Sequence, residues 1–440
     1  MSRHLFKGFQ KILSNSVIND IAVSTKFKNR NSGKISTMDF LWLNSFSDNL
    51  VASNTLEELT ASLATDKCIL VSSQAIDKRY NDSAVDFLKE IFLNILEKTN
   101  NSSINNNFKS IFSSILLMDS TEIKLPAKLA NDYKGFNVFN PSVAKINLLM
   151  ELLNYNIKNI EIRKGVENEH NFSKYVYPHL KENTLVLKDL GYFKHSDFIE
   201  ISNRKAFFVS RLRNGARLYS LNPNPSFNKD GSIKNKSKYL VTSVSELVKS
   251  MEINEVKEFD FFIGNEKISY RIILVKLPEG QVKKRLKKVE KREKRNNKEA
   301  KLTKESIEVS AFITNIPDIE KEEIPKLYKL RWQIELMFKM LKSDFSIDLI
   351  KNVKKSRIEC QIYGILIRLI ILFYLTKEIK NGYSDEESIR RMVKKAQKFL
   401  KNLVNNIDNE EQFVRLIEIL EKIIKKVNKK APNHQSQKPL

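Results

Sequence analysis

The sequence has few cysteines and no long uninterrupted hydrophobic run. Its 440 residues include two cysteines, Cys68 and Cys360, which excludes a disulfide scaffold and a cysteine-rich zinc site and is typical of a reducing compartment. The most apolar stretch, 358–375, contains Glu359 and Arg368, and a central arginine opposes membrane insertion by roughly 2.5 to 3.5 kcal/mol. We therefore expect a buried helix there and no membrane span. The basic N-terminus also lacks the apolar run and small-residue cleavage site of a secretory signal.

Acidic residues are too few to balance the basic ones. Lysine and arginine number 76 against 52 aspartates and glutamates, a formal net charge of +24. Hydrophobic residues make up 41% of the chain, which excludes a wholly disordered protein, and the length allows two or three domains. The excess positive charge predicts an acidic partner, and nucleic acid is the leading candidate.

The N-terminal quarter has a helical pattern. Its clearest part is 83–98, where apolar residues recur at helical spacing. Just upstream, 55–66 and 72–80 fit two short helices joined by a turn. A DNA-reading helix-turn-helix and an ordinary pair of packed helices both agree with this pattern. In the first case three exposed residues of the second helix would contact DNA: Gln74, Lys78 and Arg79.

From Ser113 onward, short β-prone runs replace the helices. Three such runs come in succession and later ones alternate with helical segments, which indicates a mixed α/β sheet. Residues 214–310 interrupt the alternation with a polar stretch, further strands and a charged segment, so we interpret them as an insertion. A helical pattern at 324–345 and the apolar helix follow. Two capped amphipathic helices, starting at Ser384 and Asp408, close the chain.

The charged segment of the insertion is strongly basic. Between Lys283 and Lys304 there are twelve basic and three acidic residues. Such a run is usually a solvated helix, but it would also release counterions on meeting a phosphate backbone. We predict DNA contacts for five of its residues: Lys283, Lys284, Arg285, Lys287 and Lys288.

Three acidic residues lie where an α/β sheet presents functional groups. Asp119 ends the apolar run 113–118 and Asp189 ends the run 183–188, and ligand-binding groups collect at the carboxyl ends of strands. Glu335 lies within the helical pattern that follows the insertion. These three carboxylates are our candidate catalytic residues.

Glu335 shares one helical face with three other polar residues. On a helix that turns by ~100° per residue, four groups fall within a stripe roughly 60° wide, beside an apolar face. They are Tyr328, Arg331, Glu335 and Lys342. The helix can therefore pack on a core while it displays Glu335 next to two cations. A plain amphipathic helix with a chance row of ion pairs has the same appearance.

These residues carry a resemblance to a known family. The spacing Tyr-x2-Arg-x3-Glu-x6-Lys resembles the YREK signature of the DDE transposases of the insertion-sequence-four family. The segments 118–126 (MDSTEIKLP), 188–198 (KDLGYFKHSDF) and 313–318 (ITNIPD) are similar to the family's two aspartate strands and to its run-in to the glutamate helix. The resemblance extends from about Ser72 to the basic C-terminus.

The resemblance implies an α/β fold with an RNase H-like catalytic core, interrupted by a mainly β insertion domain and flanked by helical regions. The division that we expect is a DNA-binding N-terminal region at 1–105, core at 106–213, insertion at 214–310, core with the glutamate helix at 311–380, and a C-terminal region at 381–440. Related enzymes stack a flipped base on an aromatic residue of the insertion domain. Phe261, Phe262 and Tyr270 are candidates, although core packing is the better expectation for each, as it is for Trp332.

The resemblance also implies the chemistry. Asp119, Asp189 and Glu335 would be the DDE triad and would bind two Mg²⁺ ions, for which Mn²⁺ can substitute, since hard divalent ions prefer carboxylate oxygens. Tyr328, Arg331 and Lys342 would hold DNA phosphates near the cut. The implied enzyme is a cytoplasmic, nucleoid-associated transposase that acts as a homodimer on double-stranded DNA, cleaving the terminal inverted repeats of its element and joining them to a target. The alternatives are a degraded or domesticated DNA-binding copy and an RNase H-like nuclease without strand transfer.

Overall fold

The computed structural model describes residues 2–28, 33–99, 111–152, 156–192, 194–213, 215–296, 307–380 and 386–429. Six helices form its N-terminal region: α1 (Ser2–Leu13), α2 (Asn15–Ser24), α3 (Thr37–Ser45), α4 (Leu56–Lys67), α5 (Ser73–Arg79) and α6 (Asp82–Thr99). The helices predicted at 55–66, 72–80 and 83–98 are thereby confirmed. α4 begins with a reciprocal capping box in which the Thr55 hydroxyl accepts from Glu58 N and the Glu58 carboxylate accepts from Thr55 N, which fixes its first turn.

The first part of the sheet has three long antiparallel strands followed by two parallel ones. Six strands belong to it: β1 (Ser114–Lys124), β2 (Lys134–Asn137), β3 (Asn140–Glu151), β4 (Asn156–Lys164), β5 (Thr184–Lys188) and β6 (Phe207–Arg211). β3 pairs antiparallel with β1, β2 and β4, whereas β5 pairs parallel with both β1 and β6. Two short helices, α7 (His170–Ser173) and α8 (His195–Asn203), lie in the connections around β5. The mixed α/β sheet is as predicted.

The strands of residues 214–310 extend this same sheet. They are β7 (Arg217–Leu221), β8 (Tyr239–Ser243), β9 (Val256–Ile263) and β10 (Ile268–Lys276), accompanied by α9 (Val244–Val248) and α10 (Glu279–Asn296). β11 (Val309–Thr314) pairs antiparallel with β6 on one side and with β10 on the other. The sheet order β2-β3-β1-β5-β6-β11-β10-β9-β7-β8 is therefore continuous. The strands of the segment that we interpreted as an insertion belong to the same sheet as the first strands, because β11 pairs with both β10 and β6.

Two apolar cores cover the two faces of the sheet. Along β1, Ile115 and Leu117 belong to one core, which also contains the N-terminal and C-terminal helices, while Leu116 and Met118 belong to the other. This division follows from the two-residue period of a strand, which sends successive side chains to opposite faces. Both faces of the central strands are therefore buried.

The C-terminal part is helical. The helical residues 307–308, directly before β11, are called α11. The helices that follow β11 are α12 (Glu323–Lys329), α13 (Trp332–Ser343), α14 (Lys355–Lys380), α15 (Glu386–Asn405) and α16 (Glu410–Lys429). α14 is long and apolar enough to cross a membrane, but 83% of its most apolar window is buried inside the protein, as we predicted for a core helix. α16 is capped by Asn409, whose Oδ1 accepts from Gln412 N at 3.1 Å, and not by Asp408; Ser384 lies outside the described residues.

Candidate active site

The two candidate aspartates lie side by side at one edge of the β1–β5 pair. Parallel pairing runs from Ser114 opposite Thr184 to Met118 opposite Lys188, so Asp119 and Asp189 occupy the next position of the register. β5 ends at Lys188, whereas β1 continues to Lys124 and stays paired with β3. The sheet thus opens beside Asp119, and both carboxylates emerge at this opening.

The helical segment that carries Glu335 differs from the uniform helix predicted at 324–345. α12 ends at Lys329 and α13 begins at Trp332. Between them Arg331 N donates to Tyr328 O at 3.1 Å and Ile334 N donates to Arg331 O at 3.2 Å. Bonds to the third preceding residue wind the chain more tightly than an α-helix. The predicted angles of about 100° per residue are therefore wrong across this turn, although Tyr328 and Arg331 both reach the aspartates.

Arg331 and Tyr328 connect all three candidate acids. Arg331 Nη1 donates to Asp119 Oδ2 at 2.8 Å, and Arg331 Nη2 donates to Glu335 Oε1. Tyr328 Oη donates to Asp189 Oδ1 at 2.9 Å. Burial and the adjacent Asp189 carboxylate raise the pKa of Tyr328, so the phenol stays a donor. The predicted constellation is thereby brought together, with one cation between two of its acids.

Asp119 has an unusual environment for a carboxylate. Burial raises its pKa to about 6, and the negative charges of Asp189 and Glu169 act in the same direction. Ser120 N, which donates to Asp119 Oδ1 at 2.8 Å, and the Arg331 cation oppose this rise only in part. A carboxylate destabilised in this way gains from an additional nearby cation.

Glu169 is a fourth carboxylate at this opening that we did not predict. It accepts a hydrogen bond from Ser120 Oγ at 2.7 Å, and the Lys145 ammonium lies 4.0 Å from it. A Cβ atom at Gly191 would lie 2.2 Å from Glu169 Oε2, so the glycine that follows the second aspartate makes room for this side chain. Glu169 lies in a polar connection, with no strand end or helical pattern that would have predicted it as a site residue. Only its contacts in the folded protein identify it.

The donor set fits a hard divalent cation. Asp119, Asp189 and Glu335 offer carboxylate oxygens, the ligand type that Mg²⁺ and Mn²⁺ prefer. Within the described ranges, no three His, Cys, Asp or Glu side chains stand close enough to one another to hold a metal ion as arranged. The Arg331 guanidinium, which contacts two of the acids, shows that a positive charge is already accommodated between them. Its Nε atom is buried and has no hydrogen-bond partner among the described residues.

The other signature residues and the neighbouring tryptophan behave differently from Arg331. Lys342 lies half-buried on α13, and its ammonium makes no ion pair within the part of the chain that the structure describes. Trp332 is 51% exposed, so the expectation that it packs in the core is wrong. Phe261 and Tyr270 are buried in the sheet core, in agreement with their predicted packing, while Phe262 is half-buried.

The predicted basic contacts divide into exposed and buried groups. Exposed side chains on α10 include Lys283, Lys284, Lys287 and Lys288. Arg285, by contrast, donates to the carbonyl oxygens of Ile307 and Val309 and to Ser310 Oγ at 2.7 Å. The strand beside α10 already uses this guanidinium, and the contact of Arg285 with DNA stays a prediction. Residues 297–304 of the basic segment lie outside the described residues.

The N-terminal candidates divide in the same way. Gln74 and Lys78 are exposed on α5, as predicted. Arg79 is half-buried: its guanidinium stacks 4.0 Å above the centre of the Phe27 ring, and burial lowers its pKa. The expected exposure of Arg79 is wrong, because a cation beside an aromatic ring is held in the core of the N-terminal helices.

Comparisons with known proteins identify the family of this chain. The family model for the transposase DDE domain matches residues 110–371. The transposase for insertion sequence element IS1151 of Clostridium perfringens is 33% identical over 84% of this chain and 80% of its own length. The transposase for IS231F of Bacillus thuringiensis subsp. israelensis is 30% identical over 82% and 77%. A solved piggyBac transposase synaptic complex with hairpin DNA aligns with 91% of this chain and 84% of that one at 10% identity and a TM-score of 0.46, a likeness too weak to bear on the fold.

The matched residues 110–371 run from the start of β1 into α14 and so include Asp119, Asp189 and Glu335. The family match and these relatives agree on the same activity, DNA transposition by a metal-dependent endonuclease and strand transferase. The chain therefore belongs to the DDE transposases of insertion sequence elements.

Proposed function

We propose that this transposase is of the insertion-sequence-four kind and uses Asp119, Asp189 and Glu335 as its catalytic triad. The observation that carries the proposal is the contact of Tyr328 and Arg331, two residues of the YREK spacing, with all three acids. An amphipathic helix with a chance row of charges has no reason to reach acids that lie within β1 and directly after β5. The enzyme cleaves double-stranded DNA at the terminal inverted repeats of its element and joins the ends to target DNA.

The catalytic core is RNase H-like in this proposal. Its support is the arrangement of three antiparallel strands in chain order, β1, β3 and β4, followed by the parallel strands β5 and β6. The two aspartates emerge where β1 and β5 separate, and α13 lies against β1. The proposed limits of the core are 106–213 and 311–380, with the strand-rich 214–310 between them and helical regions at 1–105 and 381–440.

Two Mg²⁺ ions, or Mn²⁺ in their place, complete the proposed site. Asp119, Asp189 and Glu335 would hold them. Ions of this type supply an activated water or 3′-hydroxyl and stabilise the leaving oxygen in a displacement at phosphorus. The chain's own part is to position these carboxylates. The Ser120 N–H fixes one oxygen of Asp119, and Tyr328 orients Asp189 from the side of α12.

Arg331 has two roles in this proposal. In the free protein its guanidinium neutralises Asp119 and Glu335. When DNA enters, phosphate oxygens offer the same bidentate geometry as carboxylates, so Arg331 can exchange an acid for a phosphate, beside Tyr328 and Lys342. Lys342, with its ammonium unused by the described acids, is suited to bind phosphate directly.

In this proposal the enzyme binds DNA as a homodimer and is associated with the nucleoid.

The test uses substitutions that keep the shape of each side chain. Asp119→Asn, Asp189→Asn and Glu335→Gln remove a metal ligand without removing volume or a cation. Each should abolish cleavage of a duplex that carries the inverted repeat, while binding of that duplex stays near the wild-type level. Glu122→Gln, an exposed position farther along β1, is the matched control and should cleave normally.

Two measurements distinguish the proposal from its rivals. Wild-type protein incubated with repeat ends, a target plasmid and Mg²⁺ should give joined products; cleavage without joining would instead describe a nuclease. Binding with neither cleavage nor joining, in Mg²⁺ and in Mn²⁺, would describe a copy that only holds DNA. Near-normal cleavage by any one of the three variants would remove that residue from the triad.

A further inference from the structure

A β-hairpin projects from the same edge of the sheet as Asp119. β3 lies opposite Asp119 at Leu148 and runs from there back to Asn140, where the hairpin turns into β2. Eight residues of extended strand span roughly 26 Å. The hairpin tip thus stands within one helical turn of duplex DNA, ~34 Å, from the candidate active site.

The tip carries apolar side chains that the protein does not bury. Val138 is 90% exposed and Phe139 is 93% exposed, and Phe136 at the adjacent strand end is 46% exposed. Single exposed apolar residues are ordinary, but neighbouring ones at the end of a projecting element mark an interaction site.

The hairpin is held in one shape before any partner binds. Asn137 Oδ1 accepts from the N–H groups of Phe139 and Asn140, each at 3.0 Å. A Cβ atom at Gly135 would lie 1.9 Å from Asn140 O, so glycine allows the two strands to close tightly. Below the tip, Lys355 Nζ of α14 binds Asp132 at 2.8 Å. A tip ordered in advance loses little conformational entropy when it binds.

The surroundings of the tip are basic. Exposed lysines lie on β2, at the end of β4 and in the connection before β2: Lys134, Lys164 and Lys128. Lys134 and Lys164 line the same surface cavity as Phe136 and Val138. A partner that offers phosphates on the outside and flat apolar surfaces within matches this arrangement, and DNA has both. A second copy of this chain, with its own charge of +24, would bring like charges together.

We propose that the Val138–Phe139 tip enters a groove of the bound DNA and that Lys128, Lys134 and Lys164 contact the phosphates beside it. The inference rests on the proposed function, because it takes the transposase's DNA as the partner. Apolar wedges of this kind part or press on base steps while nearby cations hold the backbone. The hairpin is then a second anchor for the duplex, separate from the residues at the cut.

The first experiment measures the affinity of the full-length protein for a fluorescent inverted-repeat duplex. Replacing both tip residues, Val138→Ser with Phe139→Ser, should weaken binding roughly 5- to 100-fold, the range found when a base loses an aromatic contact. Ile419→Ser, at an apolar position on α16 that is 40% exposed, is the matched control and should bind like wild type. Equal affinity of the tip variant and the control would overturn the proposal.

The second experiment identifies what the tip contacts. Phe139→benzoylphenylalanine, irradiated with the duplex, should crosslink to DNA at one position less than a helical turn from the cut. Crosslinking to a second protein molecule would overturn the proposal and assign the tip to a dimer contact. If wild type cleaves the DNA and the tip variant binds it as tightly as wild type does, only the hairpin inference is rejected. Crosslinking to DNA without any cleavage by wild type rejects the proposed function alone.

Discussion

Arg331 differs from Lys342 although both belong to the same signature. Its guanidinium contacts Asp119 and Glu335, and only about one seventh of its side chain is exposed (14%). Lys342 makes no such contact with any acid in the described structure. The two cations should therefore respond differently to removal.

Arg331→Ala should lower the melting temperature of the DNA-free protein, whereas Lys342→Ala should leave it unchanged. The first substitution leaves two carboxylates without their cation, at a cost of roughly 1 to 2 kcal/mol once solvent screening is allowed for. Both variants should lose cleavage activity. Differential scanning fluorimetry without DNA measures the contrast, and equal stability of the two variants would contradict it.

Asp119 should make stability depend on pH in a direction opposite to that of an aspartate whose pKa is lowered in the folded protein. Its pKa rises from 3.8 to about 6 in the folded protein, so the native state binds more protons than the unfolded state between these values. Its contribution to the free energy of unfolding therefore falls as pH rises through this window. Asp119→Asn removes the effect. Urea denaturation at pH 4.5 and pH 7 should show the variant gaining stability relative to wild type at the higher pH.

At this scale the sequence predicted the three acids and the YREK-like spacing but not their contacts. Strand ends and residue spacing are local properties, and they predicted Asp119, Asp189 and Glu335. Whether a cation meets an acid, a carbonyl or solvent depends on distant parts of the chain. The contacts of Arg79 and Arg285 inside the protein were therefore not predicted, because Phe27 and β11 lie far from them in sequence.

Among the elements, α14 connects the N-terminal helices to the rest of the protein. Arg368 lies within its apolar run, where Nε donates to Ser45 O at 2.6 Å and Nη2 donates to Ser47 O at 2.7 Å. These carbonyls follow the end of α3, where no helical donor remains for them. The arginine that argued against membrane insertion is thus a buried cap for another helix.

Arg368→Met should destabilise the protein by roughly 2 to 6 kcal/mol. Methionine keeps most of the apolar volume but leaves two buried carbonyl oxygens without donors, and each unsatisfied group costs about 1 to 3 kcal/mol. The exposed Arg415 of α16 provides the control, since Arg415→Met removes the same charge at the surface. Chemical denaturation of both variants decides the matter, and similar losses would assign the effect to charge alone.

The continuity of the sheet was beyond the sequence. Periodicity predicted β9 and β10 but not β7 and β8, and it carries no information on which strand pairs with which when they are far apart in the chain. β11 pairs with β6, which lies about 100 residues earlier in the chain. On its other side it pairs with β10, from which the basic helix α10 separates it in sequence. Residue spacing could not predict the single tighter turn at Leu330–Arg331 either. Both residues keep helical backbone angles, so the segment has the pattern of one continuous helix.

Over the whole molecule, positive charge is used in two ways. Some cations bind backbone carbonyls inside the protein, as Arg285 does, and others face solvent on the same helix. Only the second group can release counterions from DNA. The formal charge of the chain thus overstates the number of groups that are free to meet phosphates.

Replacing the four exposed lysines of α10 by glutamine should flatten the dependence of DNA affinity on salt. The slope of log K against log salt should fall by up to about 0.9 for each lost phosphate contact. The substitutions are Lys283→Gln, Lys284→Gln, Lys287→Gln and Lys288→Gln. Arg285→Gln is the control on the same helix and should keep the slope while it lowers the melting temperature. If the fourfold variant has the same slope as wild type, α10 is an ordinary solvated helix that does not contact DNA phosphates.

The packing of the first helices against the last one constrains how a new molecule matures on the ribosome. Phe6 and Phe9 of α1 meet Phe413 of α16, with ring centres 5.4 and 5.2 Å apart, and α3 and α6 pack on α14. About 400 residues separate these phenylalanines and about 300 separate α3 and α6 from α14, which takes about 15 to 80 s of translation at roughly 5 to 20 residues per second. During that time the apolar faces of the N-terminal helices have no native cover. Each newly synthesised transposase therefore completes its N-terminal region only after its final helices emerge.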